Sequence, residues 1–167
     1  MKNSAPNLTE TFKTMLSEQL AAEKKYFKIL DKLTKAVYTD ELRLAISPGE
    51  TDIESHISRL SRAMAAVKQK AQVASSAIDE ELLNTLKTAA AGKTTSLAKD
   101  LTLLEIFKLI YTLKVCRYDS LYHMAAVLGH EEYAMLLEQC SKDNQNTYAY
   151  LNQISQNVVY PEINSNS

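Results

Sequence analysis

Two ionisable residues stand where helical spacing predicts buried, apolar side chains. Lys114 lies four residues after Ile110, near the middle of an apolar stripe that recurs every three or four residues. Glu23 lies seven residues after Leu16, in the middle of a similar stripe near the N-terminus. Because a buried charge without a partner is costly, these positions predict a polar layer that crosses a helical core.

Other polar residues could join this layer. Asp52 and His56 are four residues apart and flank a third apolar stripe, while Asp143 and Asn144 flank the inner face of the last helix, which also carries Thr147. A hydrogen-bonded core histidine is the simpler interpretation of His56, and the nearby Asp52 leaves a ligand pair open. Carboxylates and histidines that project from four helices also form ferritin-like di-metal sites, and hard cations prefer several oxygen ligands.

Apolar residues at helical spacing and the small number of glycines and prolines predict an all-α protein. The chain has 3 glycines and 3 prolines, and strand-like alternation between turn signals is missing. Ser47 and Pro48 have the pattern of an N-cap and first helical residue, and a proline-kinked continuous helix is the competing interpretation. The predicted helices cover residues 7–37, 40–46, 48–67, 79–91, 101–128 and 131–158.

Four long helices with short connections predict a four-helix bundle with a short extra helix in the long crossover. We expect a single bundle domain over residues 8–158. Residues 1–7 and 159–167 are expected to be loose tails.

Composition excludes several classes of protein. The chain has 167 residues, 46% hydrophobic and 23% charged, with a net charge of −1, so nucleic acid and anionic membranes are not expected as partners. No signal peptide or apolar run of about 20 residues is present, which predicts a cytoplasmic protein. Cys116 and Cys140 are predicted to be reduced core thiols. Phosphate-binding glycine loops, paired-cysteine motifs and local nucleophile signatures are missing.

The chain resembles the YciF/YciE-type ferritin-like bacterial stress proteins from about Leu8 to Ile154. The residues that carry the resemblance are Ala22-Glu23-Lys24, His56-Ile57-Ser58-Arg59-Leu60, Tyr118 through Leu128-Gly129, and Leu136-Leu137. Their order and spacing are more specific than any one motif. The resemblance implies a ferritin-like bundle, commonly a homodimer, linked to stress responses and of poorly defined activity.

The resemblance also implies that the family's metal-type residues survive only in part. Glu23 matches a first-helix glutamate and Asp52 a second-helix glutamate, but Tyr111 and Lys114 stand where central-helix glutamates are expected. His56 occupies a position that is often glutamine, and Asp143 and Asn144 lie in a glutamate-rich stretch.

We therefore predict a degenerate metal site in which Lys114 pairs with Glu23 and Asp143 and replaces the metal centre. No cofactor and no catalytic residue are expected, and the protein would act by association, as a homodimer. The first alternative is a metal-handling or redox protein that holds a single iron or manganese ion through Glu23, Asp52, His56 and Asp143. A working di-metal centre, and outward-pointing charges that never meet, also remain open.

Overall fold

The computed structural model describes residues 7–70 and 74–166, and these residues form helices and connecting turns without a strand. In chain order the helices are α1 (Leu8–Thr34), α2 (Asp40–Ala45), α3 (Ile53–Ala66), α4 (Ala77–Ala89), α5 (Leu97–Val127), α6 (Glu131–Ile154) and α7 (Tyr160–Ser165). A π-helical turn, Ser155–Val159, joins α6 to α7. The all-α prediction is confirmed. Residues 1–6 of the expected N-terminal tail lie outside the described residues.

Four long elements build the bundle: α1, the consecutive α2 and α3, α5, and α6. α1 packs against α3, and α5 packs along α6. The turn between α5 and α6 is tight because Gly129 adopts a positive φ of 77°. α4 lies in the crossover from α3 to α5 and contacts both α1 and α5. The architecture is the predicted four-helix bundle with a short extra helix in the crossover.

The apolar core is divided into two clusters. One contains Tyr26, Leu30 and Phe107 together with side chains of α2 and α4. The other contains Leu16 and Leu121 with the first half of α6. On each long element the predicted polar residue lies between the positions that supply the two clusters, so the polar residues form a layer across the middle of the bundle. No helix in the described part of the chain could cross a membrane.

The predicted helix start at Ser47 and Pro48 is wrong, and so is the kinked continuous helix. α2 ends at Ala45 and α3 begins at Ile53, with turns between them. The Ser47 carbonyl accepts hydrogen bonds from the amides of Glu50 and Thr51, each at 3.1 Å, and closes a local turn instead of starting a helix.

Several other boundaries differ from the sequence prediction, including both ends of α4, which covers Ala77–Ala89 instead of 79–91. α1 ends at Thr34 rather than near residue 37. α5 starts at Leu97 instead of residue 101, because the Ser96 hydroxyl accepts from the Lys99 amide at 3.2 Å and caps the helix. Residues 159–165 were expected to be loose but are helical, and the Tyr160 hydroxyl contacts Glu105 on α5 at 2.8 Å.

Candidate functional site

The polar layer is centred on a buried ion pair between α1 and α5. The Glu23 carboxylate is fully buried, and Lys114 Nζ donates to its Oε2 at 2.7 Å. The same ammonium lies 5.0 Å from the ring centroid of Tyr26 and 5.1 Å from that of Tyr111. Two aromatic faces and a carboxylate therefore replace the water that this cation loses on burial.

The second oxygen of Glu23 receives further donors. The Tyr118 hydroxyl donates to Oε1 at 2.8 Å, and Gln19 Nε2 donates to it at 3.2 Å. His56 Nδ1 lies 3.7 Å from the same oxygen, too far for a hydrogen bond. Both carboxylate oxygens of Glu23 are thus occupied by donors from α1 and α5, and α3 brings an imidazole close to one of them.

Electrostatics keep both members of the ion pair charged. Burial raises the pKa of Glu23, but the charge of Lys114 and the neighbouring His56 outweigh it and lower the pKa from 4.5 to about 2. Burial lowers the pKa of Lys114, but the charge of Glu23 outweighs it and the net pKa lies above 10.5. Near neutral pH the layer therefore contains a carboxylate and an ammonium, not a neutral acid and amine.

His56 extends the layer to α6. Its Nε2 lies 3.3 Å from Asp143 Oδ2, the same oxygen that accepts from Arg59 at 2.6 Å. Gln139 Nε2 donates to the other oxygen of Asp143 at 2.7 Å. Burial raises the pKa of Asp143, but the hydrogen bonds from Arg59 and Gln139 outweigh it and lower the pKa below 3.8. The layer therefore holds two ion pairs, with one imidazole between their carboxylates.

The predicted pairing of Lys114 with Asp143 is wrong. Asp143 faces α3, where Arg59 follows His56 by one helical turn and donates at 2.6 Å. Lys114 faces α1 and Glu23. Lys114 on α5 therefore neutralises Glu23, and Arg59 on α3 neutralises Asp143.

The remaining predicted residues lie around this centre without joining it. Asp52 is exposed and lines an open cavity of about 340 Å³ together with Asp143 and Thr147. The Thr147 hydroxyl donates to the Asp143 carbonyl at 3.2 Å. Asn144 is fully buried and donates to the Cys140 carbonyl at 2.7 Å. The structure brings Glu23, Lys114 and Tyr111 together, and leaves Asp52 at the surface.

Sequence reasoning missed four residues of the layer, and they share one signal. Each lies three or four residues from a predicted member on the same helix: Gln19 before Glu23, Tyr118 after Lys114, Arg59 after His56, and Gln139 before Asp143. That spacing puts side chains on one helical face. A search for polar neighbours one turn from each buried charge would have found them.

A further buried acid connects this layer to the crossover. Asp79, near the start of α4, is ion-paired with Arg117 on α5 and accepts from the Ser76 hydroxyl at 2.7 Å. The hydroxyl of Tyr26 lies 3.4 Å from Asp79, and its ring lies against Lys114. Burial and the charge of Asp79 raise the pKa of Tyr26, which stays protonated and can donate. α4 is thereby fixed to α1 and α5.

The residues present do not fit a ferritin-like metal centre. Glu23 and Asp143 already accept from cations and neutral donors, and the two nitrogens of His56 face different carboxylates. A metal would need several unpaired donors converging within about 2.0–2.6 Å of one point. In residues 7–70 and 74–166, no group of three or more His, Cys, Asp or Glu side chains could hold an ion.

Comparison with known proteins places the chain in a family. The model of DUF892, a domain of unknown function, matches residues 7–164. The crystal structure of the E. coli stress protein YciF superposes with a TM-score of 0.83 at 19% identity, over 92% of this chain and 97% of that one. YcfI of Rhodopseudomonas palustris, provisionally assigned as a structural protein, gives 0.78 at 19% identity, over 91% and 97%. No curated protein matches the chain.

At this level of identity the two solved structures show the shared fold, a ferritin-like helical bundle, and the family match covers nearly the whole chain. The resemblance to the YciF type that the sequence suggested is confirmed. The chain belongs to the DUF892 family.

Proposed function

We propose that this protein is a metal-independent ferritin-like bundle that acts in a stress-related setting by association, as a homodimer, and not by catalysis. The observation that carries the proposal is the 2.7 Å ion pair between Lys114 and Glu23. A fixed ammonium supplies, at the centre of the bundle, the positive charge that a metal would bring. It also repels a divalent cation, since like charges at this burial interact strongly.

The other groups of the layer support the same proposal. Arg59 neutralises Asp143 in the second half of the layer, so neither carboxylate lacks a counter-charge. The stress-related setting is carried over from the description of YciF, and the structural role from that of YcfI. Both are proposals for this chain.

The metal-handling alternative rests on one observation. Among the described residues, His56 Nδ1 is a buried nitrogen without a hydrogen-bond partner, and it lies 3.7 Å from Glu23. An imidazole nitrogen and a carboxylate oxygen on neighbouring helices could contribute two ligands to one ion. Lys114 already occupies the other oxygen of that carboxylate, so we favour the metal-free layer.

The test is elemental analysis of protein purified without chelator and then offered iron or manganese. We expect the wild type to contain well below one ion per chain. Lys114→Glu replaces the ammonium by a third carboxylate and frees Glu23, so this variant should take up an ion. Lys114→Met is the matched control, because it removes the same charge without adding a ligand and should stay metal-free.

Stoichiometric metal in the wild type would contradict the proposal and put the metal-handling alternative first. Uptake by Lys114→Met at the level of Lys114→Glu would show that ligands other than the introduced carboxylate hold the ion.

A further inference from the structure

The outward face of the second half of α1 is basic. Lys24, Lys28 and Lys32 follow one another at four-residue steps, and Lys35 comes three residues later, so these side chains lie on one face of the helix. All four residues are exposed. The opposite side of the same turns carries Leu30 into the core. Packing of α1 in the bundle therefore turns the basic face to solvent.

The charge of the chain is distributed unevenly. Residues 24–35 contain five lysines and one aspartate, a net charge of +4, although the whole chain has a net charge of −1. The next segment, residues 40–54, contains five acids and one arginine. The expectation that nucleic acid is not a partner came from the net charge, which averages over such segments. The potential at a surface is set mainly by the charges close to it.

Most of the basic face lacks acidic partners. Of its four lysines, Lys35 has an acidic partner, and the other three make no ion pair with any described residue. Asp31 lies close to this face but accepts from Lys35 at 2.8 Å. Other exposed cations are matched by acids one turn away, as in the 2.8 Å pair of Lys142 with Glu138. The first three lysines therefore give the face positive charge that the chain itself does not neutralise.

α4 adds a further cation beside this face. α4 packs against α1, and its Glu80 is ion-paired with Lys25. Leu86 lines the same small cavity as Leu33, so α4 runs alongside the basic half of α1. Lys87 is exposed and lies seven residues after Glu80, two turns further along the side of α4 that faces α1. The basic surface therefore extends from α1 onto α4.

The shape of the basic face favours a linear polyanion. From Lys24 to Lys35 the face is about 16 Å long at about 1.5 Å per residue. A nucleic acid duplex carries one negative charge per about 1.7 Å of its axis, so the face meets several phosphates in any register. Lysines also attract anionic membranes, but a helix that attaches to a membrane inserts its apolar side, and that side of α1 is in the core.

We infer that the face from Lys24 to Lys35, with Lys87 beside it, binds the phosphate backbone of duplex nucleic acid. Each ammonium contacts phosphates as a point charge and displaces counterions condensed on the duplex. Residues 24–35 include no Arg, Asn or Gln, the side chains that most often read base edges, so binding is independent of sequence. This role is separate from the proposed association, which does not use the basic face.

The test measures the fluorescence anisotropy of a labelled duplex of about 20 base pairs, titrated with the full chain at about 50 mM salt. We expect a dissociation constant of about 10⁻⁵–10⁻⁴ M, and an affinity that falls with salt with a logarithmic slope of about −3 to −4. In Lys24→Gln/Lys28→Gln/Lys32→Gln the affinity should fall at least about tenfold, and the slope should shrink to about −1.

The matched control is Lys13→Gln/Arg62→Gln/Lys142→Gln. It removes the same number of positive charges, but each of these residues is ion-paired with an acid elsewhere on the bundle. Because salt screens distant charges, the control should bind the duplex within about threefold of the wild type. Circular dichroism should show unchanged helix content in both triple variants, since the substituted side chains lie at the surface.

Three outcomes would overturn the inference. The first is a wild type that does not bind the duplex. The second is an equal loss of affinity in both triple variants, which would mean that binding follows net charge and not this face. The third is binding to vesicles of phosphatidylcholine and phosphatidylserine without binding to the duplex, which would assign the face to membranes. Molar mass by light scattering should be the same in all three proteins, so each of these failures leaves the proposed association standing.

Discussion

At the scale of single residues, the charged groups at the centre of this protein each require the others in order to be buried and ionised. Lys114 is buried only because Glu23 and two tyrosine rings surround its ammonium. Glu23 is ionised only because Lys114, Tyr118 and Gln19 occupy its oxygens. A buried ion pair of this kind adds little net stability over apolar side chains, but loss of one partner leaves a charge without compensation.

We predict that Lys114→Met lowers the free energy of unfolding by about 3–5 kcal/mol, because it leaves the Glu23 carboxylate buried without its cation. The double variant Lys114→Met/Glu23→Gln should recover at least half of this loss, since no net charge remains and a side-chain oxygen still accepts from Tyr118. Urea denaturation measures both. Lys142→Met, an exposed control, should change stability by less than about 0.5 kcal/mol. A double variant less stable than the single would contradict the pairing.

At the scale of helices, the connections are held by buried acids that helical periodicity does not detect. Asp100, in the first turn of α5, is fully buried. Its two oxygens accept from the amides of Tyr38 and Thr39 at 2.7 Å each, and from the Thr39 hydroxyl at 2.8 Å. It thereby fixes the turn between α1 and α2 onto the start of α5. This explains why α1 ends before residue 37: the backbone there donates to a side chain instead of continuing the helix.

We predict that Asp100→Asn destabilises the protein by about 2–3 kcal/mol, because its amide group would face backbone donors that are now satisfied by a carboxylate. The effect should be local. Amide hydrogen exchange should accelerate at residues 36–46, while the α5–α6 pair keeps its protection. Asp40→Asn, an exposed neighbour, is the control. Uniform acceleration across the whole chain would contradict a local role for Asp100.

At the scale of the whole molecule, the polar layer divides the core into two apolar clusters and spans the bundle through α1, α3, α5 and α6. Its charges should give the whole fold a defined pH dependence. Glu23 has a lowered pKa, so its contribution is complete above its unfolded pKa near 4.5 and is lost as pH falls through about 2. Lys114 has a raised pKa, so its contribution is complete below about 10.5 and is lost as pH rises beyond it.

We therefore predict that the difference in unfolding free energy between wild type and Lys114→Met/Glu23→Gln is flat between about pH 5 and pH 10 and changes in favour of the double variant on either side. Asp143 and the surface acids are common to both proteins and cancel in the difference. Thermal or urea unfolding across the pH range measures it. A difference that stays constant from pH 7 down to about pH 2.5 would show that Glu23 does not titrate as the buried partner of Lys114.

The sequence by itself determined the helices and the existence of a polar layer. Apolar residues at three- and four-residue spacing specify which faces must be buried, and this rule is local, so the four-helix bundle and the inward positions of Glu23, His56 and Lys114 could be predicted. The C-terminal helix and the break at Pro48 could not, because they depend on local turns and on contacts such as Tyr160 with Glu105.

The tertiary structure alone decided which charges pair and which surface is free. Asp143 could have faced either Lys114 or Arg59, and only the packing of α3 against α6 selects Arg59. Likewise, α5 carries Leu109 and Cys116 outside the apolar stripe that predicts the inward position of Lys114. The prediction that Cys116 is a core thiol is wrong, because spacing alone does not say whether these side chains are buried. The neighbours of α5 bury Leu121 and leave Leu109 and Cys116 outside. Pairing and exposure depend on the distances between helices, which a one-dimensional period does not contain.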